Sequence, residues 1–158
     1  MIPTKKLAGG ILAAAAAGFL WYNLSVSSST IKIAGASMYP TLSDGEEVNI
    51  HIRAADEYPS RSKIVIIRRN GENYVKRVIA LPGETVDIRE GVVYIDETAL
   101  CLEGGIDPAI PDECQFPITL SENEYFVMGD NRTNSWDSRS SSFGLVSLKE
   151  ILAVVELP

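Results

Sequence analysis

The chain has 158 residues, 14 of them basic and 21 acidic, which gives a net charge of -7. This length suits one ordinary domain, and the acidic balance argues against a nucleic-acid-binding surface, which needs clustered positive charge. One histidine and two cysteines are too few for an ordinary zinc site, and the chain contains no glycine-rich phosphate-binding motif. We therefore expect no nucleic acid, nucleotide, metal or cofactor to bind.

The N-terminal segment has the charge pattern of a membrane-directed helix. Two lysines precede an uncharged run from Leu7 to Tyr22. The run is shorter than the roughly 20 residues that span a bilayer, so a cleavable secretory signal and a buried helix are alternative interpretations. Trp21 and Tyr22 are typical of an interfacial aromatic belt, which favours an uncleaved anchor in the lipid bilayer. We expect a cytoplasmic tip and single transmembrane anchor at residues 1–26, a linker at 27–30 and an extracytoplasmic domain at 31–158.

The rest of the chain predicts a mainly β domain, a barrel or coiled sheet. Short β-branched runs alternate with turn residues, and no helical period persists over three turns. Glu90-Gly91 predicts a hairpin, and the capping-box spacing of Ser147 and Glu150 predicts a short helix at 147–152. The predicted strands are 31–34, 47–52, 63–69, 73–80, 85–89, 92–96, 124–128 and 152–157.

Residues 99–117 predict an exposed loop, because they contain two glycines, several prolines and four acidic residues between Cys101 and Cys114. Outside the cytoplasm these cysteines could close the loop as a disulfide. Two unpaired, packed thiols are the alternative.

Three segments hold more chemically specific residues than turns or strands require. In the first, Ser37 follows two small residues and precedes Pro40, an arrangement that can hold a hydroxyl beside backbone amides. In the second, Lys76 lies among apolar strand residues, and burial there would favour its neutral amine, a base for a serine hydroxyl. A lysine on the solvated face of the strand is the plainer interpretation.

The single histidine does not suit a Ser-His-Asp triad. His51 lies in an alternating strand flanked by acidic residues, which indicates a surface or half-buried position. Lysine is therefore the credible base for a serine enzyme.

The third segment, residues 129–139, could support a Ser-Lys pair. Asp137 and Arg139 are two apart and can form an ion pair, while Ser135 could hydrogen-bond the lysine amine. Taken alone, the segment could also be an elaborate polar turn.

In order and content the three segments resemble the type I signal peptidases, the membrane-bound serine proteases that release exported proteins from their signal peptides. The resemblance implies that Ser37 is the nucleophile, that Lys76 is the general base and that Ser135 orients the lysine. It further implies a coiled β-sheet catalytic domain, cleavage of exported preproteins after small residues, and no cofactor. Gly35 and Ala36 would belong to the oxyanion region, and the structural residues of the site would be Met38, Pro40, Arg77, Gly129, Asp130, Asn131, Asp137, Ser138 and Arg139.

The chain departs from the family pattern at two places near the site. Gly35 stands where some relatives have Ser or Thr, and Ser140 to Phe143 form a longer interval before Gly144 than expected. Two rival functions are a self-cleaving repressor-type Ser-Lys protease and a membrane-tethered β module that only binds.

Overall fold

The computed structural model describes residues 28–100 and 115–157, and the structural statements below refer to these residues. The expected anchor, Cys101 and Cys114 lie outside them. Within these two ranges, no helix is long and apolar enough to cross a membrane. The strands are β1 (Ser28–Lys32), β2 (Glu47–Ile52), β3 (Ile64–Arg69), β4 (Glu72–Ala80), β5 (Thr85–Arg89), β6 (Val92–Ile95), β7 (Thr98–Ala99), β8 (Ile118–Thr119), β9 (Glu124–Met128), β10 (Val146–Ser147) and β11 (Ile151–Glu156).

The strands form two antiparallel sheets. The larger has seven strands in the order β1-β2-β11-β3-β4-β9-β10, and the smaller has the order β7-β6-β5-β8. The prediction of a mainly β domain is confirmed. Neither sheet closes into a barrel, because each ends in two edge strands.

Turn chemistry sets the register of two hairpins. Asn70-Gly71 joins β3 to β4 and Glu90-Gly91 joins β5 to β6, with positive φ at all four residues. Two-residue turns of this conformation match the right-handed twist of paired strands. The hairpin predicted at Glu90-Gly91 is confirmed.

The central strand β3 is buried on both faces. Ile64 and Ile66 pack into one apolar cluster, whereas Val65 and Ile67 pack into another on the opposite face. Burying each such side chain contributes about 1.5–3 kcal/mol, so this strand anchors the larger sheet. A third cluster joins the two sheets through Ile79, Phe126, Met128, Val86, Ile88, Val93 and Ile95.

Three details differ from the predicted elements. β1 begins at Ser28 and pairs with β2, so it occupies positions expected to form a linker. The capping box of Ser147 and Glu150 is present, but it caps a 3-10 helix of one turn, Leu148–Glu150, because Ile151 already belongs to β11. The strands β7, β8 and β10 have two residues each, too short to produce a periodic pattern.

Candidate active site

Lys76 and Ser37 are in direct contact. Lys76 lies in the middle of β4, opposite Val65 of β3, and is only 3% exposed. Its Nζ donates a hydrogen bond of 2.9 Å to Ser37 Oγ. A buried lysine amine within hydrogen-bond distance of a serine hydroxyl can activate the serine when the amine is neutral, because the hydroxyl then donates its proton to the amine.

The surroundings of Lys76 favour its neutral amine. Burial is the largest cause, and it lowers the pKa of Lys76 below the ordinary value of 10.5. The negative charge of Asp137 opposes this change, and the positive charge of Arg139 adds to it. The result is a lysine that gives up its proton more readily than a solvated one.

Three hydrogen bonds to backbone groups hold the Ser37 loop, residues 33–42. The backbone N–H of Asn131 donates to the Ser37 carbonyl at 3.0 Å, and its side-chain amide donates to the Ala36 carbonyl at 3.0 Å. On the other side the Gly35 N–H donates to Asp44 Oδ1 at 2.8 Å. Gly35 has a φ of +90°, where a side chain would be strained, and this accounts for glycine at that position.

The same loop is anchored in the core by three apolar side chains. Met38 is 1% exposed and packs with Ile33 and Leu42 in the first cluster. Its carbonyl accepts the N–H of Leu42 at 2.9 Å, which closes the turn. Pro40 is exposed, so its contribution is to the backbone of the turn.

Gly129 is where the loop after β9, residues 129–139, meets the Ser37 loop. A Cβ at this position would lie 2.5 Å from the Ser37 carbonyl oxygen, 2.6 Å from Ser135 Cβ and closer still to Ser135 Oγ. Only glycine permits this approach of the two segments.

Asp137 connects the loop after β9 internally. Its carboxylate accepts hydrogen bonds from the Arg139 guanidinium at 2.9 and 3.0 Å and from the Gly129 N–H at 2.9 Å. The two charged side chains are 0% and 3% exposed. Ser138 aligns this loop with β9, because it donates its N–H to the Val127 carbonyl and accepts the Val127 N–H through Oγ.

Arg77 fastens β4 to the same loop. Its Nε and Nη2 donate to the two oxygens of Asp130 at 2.8 and 2.5 Å, and its Nη1 donates to the Ser62 carbonyl. Arg132 is also buried and donates to the Gly129 carbonyl at 3.0 Å. The residues predicted as structural thus form the contacts that bring β4, the Ser37 loop and the loop after β9 together.

Ser135 differs from the expectation. Its Oγ is buried against Gly129 and has no hydrogen-bond partner among the described residues, so the bond expected to the Lys76 amine is not formed here. An unpaired buried hydroxyl costs about 1–3 kcal/mol. Such a group beside a reactive pair is a candidate for a contact made during the reaction.

A cleft of about 360 Å³ opens at Ser37 and Lys76. It lies between Ile31 to Gly35, at the end of β1, and Asn73 to Lys76 of β4. These strands are four places apart in the sheet order, so the sheet coils until its β1 edge faces β4. β9 pairs with β4 only from Arg77 to Ala80, which leaves the β4 edge beside the cleft without that partner.

His51 does not line this cleft. It lies 3.1 Å from Glu57 in a separate groove of about 620 Å³, lined by residues 57–64 and the end of β11. The expectation that histidine is not the base agrees with this position.

Three residues that contribute to the candidate active site were not assigned from the sequence. Asp44, which holds Gly35, resembled an ordinary turn residue. Tyr74 lines the cleft, and Trp136 packs on it. The spacing of Tyr74 two residues before Lys76 could have indicated a shared face, whereas nothing in the sequence pairs Trp136 with Tyr74.

Comparison with known proteins gives the family. A family model described as "Signal peptidase, peptidase S26" matches residues 6–158. The chain belongs to this family. It is 39% identical to "Signal peptidase I S" of Bacillus subtilis over 130 residues, covering 74% of this chain and 68% of that protein. It is 37% identical to "Signal peptidase I" of Bacillus amyloliquefaciens over 127 residues, covering 74% and 68%.

A solved structure agrees with this family. The crystal structure of a signal peptidase I from Enterococcus faecalis matches with a TM-score of 0.52 and 32% identity, covering 63% of this chain and 98% of that one. The family expected from the three sequence segments is confirmed, and the chain is a peptidase.

Proposed function

We propose that this signal peptidase family member cleaves signal peptides from exported preproteins with Ser37 as nucleophile and Lys76 as general base. The observation that carries the proposal is the 2.9 Å hydrogen bond between Ser37 Oγ and Nζ of a lysine that is 3% exposed. The lowered pKa of Lys76 adds support, because the neutral amine can take the hydroxyl proton.

The reaction is acyl transfer in two stages. Lys76 removes the proton of Ser37 Oγ as the oxygen attacks the scissile carbonyl carbon, and the resulting ammonium returns the proton to the leaving amine. A water that Lys76 deprotonates then attacks the acyl-enzyme ester, and the lysine ammonium returns that proton to Ser37 Oγ as the ester bond breaks. No metal or cofactor enters these steps.

The backbone of the Ser37 loop is proposed as the oxyanion site. None of the hydrogen bonds between described residues uses the Ser37 N–H, and the bonds of Gly35 and Ala36 to Asp44 and Asn131 fix the loop around it. Preorganised donors of this kind supply a large share of catalysis in acyl transfer.

Ser135 is proposed to steady the lysine. Its buried Oγ lacks a partner in the resting structure. Once Ser37 Oγ is acylated, the Lys76 amine loses its present acceptor and needs another. Ser135 would provide it in the second stage.

The substrate is proposed to bind as an extended strand in the cleft between β1 and β4. The cleft has a volume of about 360 Å³ and mostly apolar walls, which suits small apolar side chains such as those of an Ala-x-Ala site. Residues 1–26 would anchor the enzyme in the cell membrane, with the N-terminus cytoplasmic and the catalytic domain outside, where preproteins emerge.

Cleavage of a preprotein with an Ala-x-Ala site by the full chain in detergent tests the proposal. Ser37→Ala and Lys76→Ala should each lose at least about 10³-fold in kcat/KM while the far-ultraviolet circular dichroism stays unchanged. The exposed residues Ser60 and Lys149 supply matched controls, Ser60→Ala and Lys149→Ala, which should cleave normally. Full activity in Lys76→Ala would refute the proposal.

A further inference from the structure

Three aromatic rings form a closed cluster, and one of them, that of Tyr74, belongs to a residue that lines the cleft. Tyr74 and Trp136 have ring centroids 5.6 Å apart, Tyr74 and Phe143 are also 5.6 Å apart, and Trp136 and Phe143 are 5.2 Å apart. The interplanar angles are 71°, 89° and 83°, so each pair meets edge to face. Such pairs contribute about 0.5–1.5 kcal/mol each beyond the area they bury.

Tyr74 connects this cluster to the reacting groups. It lines the cleft together with Ser37 and Lys76 and lies two residues before Lys76 on β4, about 6.6 Å along the strand. Its hydroxyl donates to Glu72 at 2.8 Å, so the phenol is held at its tip as well as at its ring.

Trp136 is the support that reaches Tyr74 from the loop after β9. It lies between Ser135 and Asp137 in the sequence, so the backbone that positions it is the one that carries the site contacts. Its indole Nε1–H donates to Ser142 Oγ at 2.9 Å, and Ser142 is hydrogen-bonded to Ser140. The indole is nevertheless 45% exposed, so burial alone does not explain an aromatic residue at this position.

Phe143 completes the support from the other side. It is buried, the guanidinium of Arg69 lies 4.8 Å from its ring centroid, and the same guanidinium donates to the Phe143 carbonyl. Arg69 is itself paired with Glu150. The segment from Ser140 to Phe143 therefore supplies Trp136 with the Phe143 ring and with the Ser142 hydroxyl as a hydrogen-bond acceptor.

We infer that Trp136 is a positioning residue that holds Tyr74 as the wall limiting the size of the substrate side chain just before the scissile bond. This inference rests on the proposed function and adds a determinant of specificity to it. If Trp136 is removed, Tyr74 can move away from the cleft and larger side chains can enter.

A pair of preprotein peptides that differ only in Ala or Val before the scissile bond tests this role. We expect Trp136→Ala to lower the Ala-to-Val ratio of kcat/KM by about tenfold, the usual effect of a small change in pocket size. For the Ala peptide KM should rise while kcat stays within about twofold. Trp136→Phe, which keeps a ring beside Tyr74, should retain most of the selectivity.

The matched control is Phe116→Ala, which removes an edge-to-face contact with Phe126 in the cluster joining the two sheets, away from the cleft. It should keep the native Ala-to-Val ratio. An unchanged ratio in Trp136→Ala, or an equal loss for both peptides, would overturn the inference.

A binding measurement separates this inference from the cleavage mechanism. The chain has two tryptophans, so Trp136 is the single source of tryptophan fluorescence in a Trp21→Phe, Ser37→Ala protein. A signal-peptide fragment that ends in Ala-x-Ala and contains no tryptophan is added to this protein, and the emission of Trp136 is recorded. A shift in the Trp136 emission that is smaller with a Val-x-Val fragment would support Tyr74 as the size-limiting wall, even if the wild type cleaves no preprotein. An emission that neither fragment changes would contradict the inference even if the wild type is active.

Discussion

The two sheets differ in where their charged side chains lie, buried beside the larger sheet and near the surface on the smaller one. In the described residues, all the buried polar or charged side chains lie on β4 of the larger sheet or in the loop after β9. On the smaller sheet Arg89 forms ion pairs with Asp87 and Glu97 near or at the surface. The buried set is Lys76, Asp130, Arg132, Asp137, Ser138 and Arg139.

This difference indicates where the molecule accepts a cost in stability for function. Removing a charge from water costs several kcal/mol, which a partner offsets only with good geometry. Asp137 and Arg139 meet that condition, whereas the Lys76 amine has a neutral serine hydroxyl as its hydrogen-bond acceptor. The smaller sheet has no comparable group among its described residues, and we expect it to have a supporting role.

Outside Ser37 and Lys76 themselves, the largest expected effect comes from closing the space at Gly129. Gly129→Ala would put a Cβ 2.5 Å from the Ser37 carbonyl oxygen, so the Ser37 loop must move away from the loop after β9. A displacement of about 1 Å at reacting groups can cost 10²-fold, and we expect at least that loss in kcat/KM.

Gly71→Ala is the control for Gly129→Ala. It lies in the β3–β4 turn with open space around it and a φ of +84°, so alanine strains the turn by about 1–2 kcal/mol without touching the site. Cleavage by this variant should persist below its unfolding temperature. Equal activity of the two variants would show that the close approach at Gly129 does not matter.

A smaller effect, on stability and pH dependence together, is expected from Asp137→Asn. The variant removes the carboxylate that pairs with the buried Arg139 guanidinium, which should lower the free energy of unfolding by about 3–5 kcal/mol. It also removes the charge that raises the pKa of Lys76, so the rise of kcat/KM with pH should move to lower pH. Urea unfolding and a pH series measure both, and an unmoved pH profile would show that Asp137 does not act on Lys76.

The smallest effect is expected on the smaller sheet. Arg89→Ala removes two surface ion pairs and a contact with the Tyr94 ring, all partly exposed to water. We expect cleavage equal to the wild type and only a slight change in urea unfolding, because water and salt screen such pairs. A loss of stability or a shift of the pH profile comparable to that expected for Asp137→Asn would contradict the distinction between the sheets.

Much of the fold followed from local patterns. The strand predicted at 47–52 has those bounds in the structure, and the hairpin at Glu90-Gly91 forms as predicted, because alternation and turn residues are local signals. The coiling that brings Ile33, directly after β1, to the same cleft as Lys76 of β4 was not available from such signals. It depends on the order of strands, which is set by contacts far apart in sequence.

In the site, too, some features were predictable from local sequence signals and others depended on contacts between distant residues. Ser37 and Lys76 were candidates from their segments, the family resemblance supplied their expected roles, and the structure places them in contact. The contact of Asp44 with Gly35 and that of Trp136 with Tyr74 join residues 9 and 62 positions apart. The absent bond of Ser135 depends on side-chain positions within a tightly packed loop, which no sequence pattern specifies.

The pH dependence of kcat/KM for an Ala-x-Ala preprotein tests the central claim, that Lys76 is a buried base, most directly. Because the pKa of Lys76 is lowered, the fraction of neutral amine rises as pH increases through that lowered value. We expect kcat/KM to rise with pH and to level off below 10.5, the ordinary value for lysine. A rate that does not change with pH, or that rises only at 10.5 and above, would contradict it.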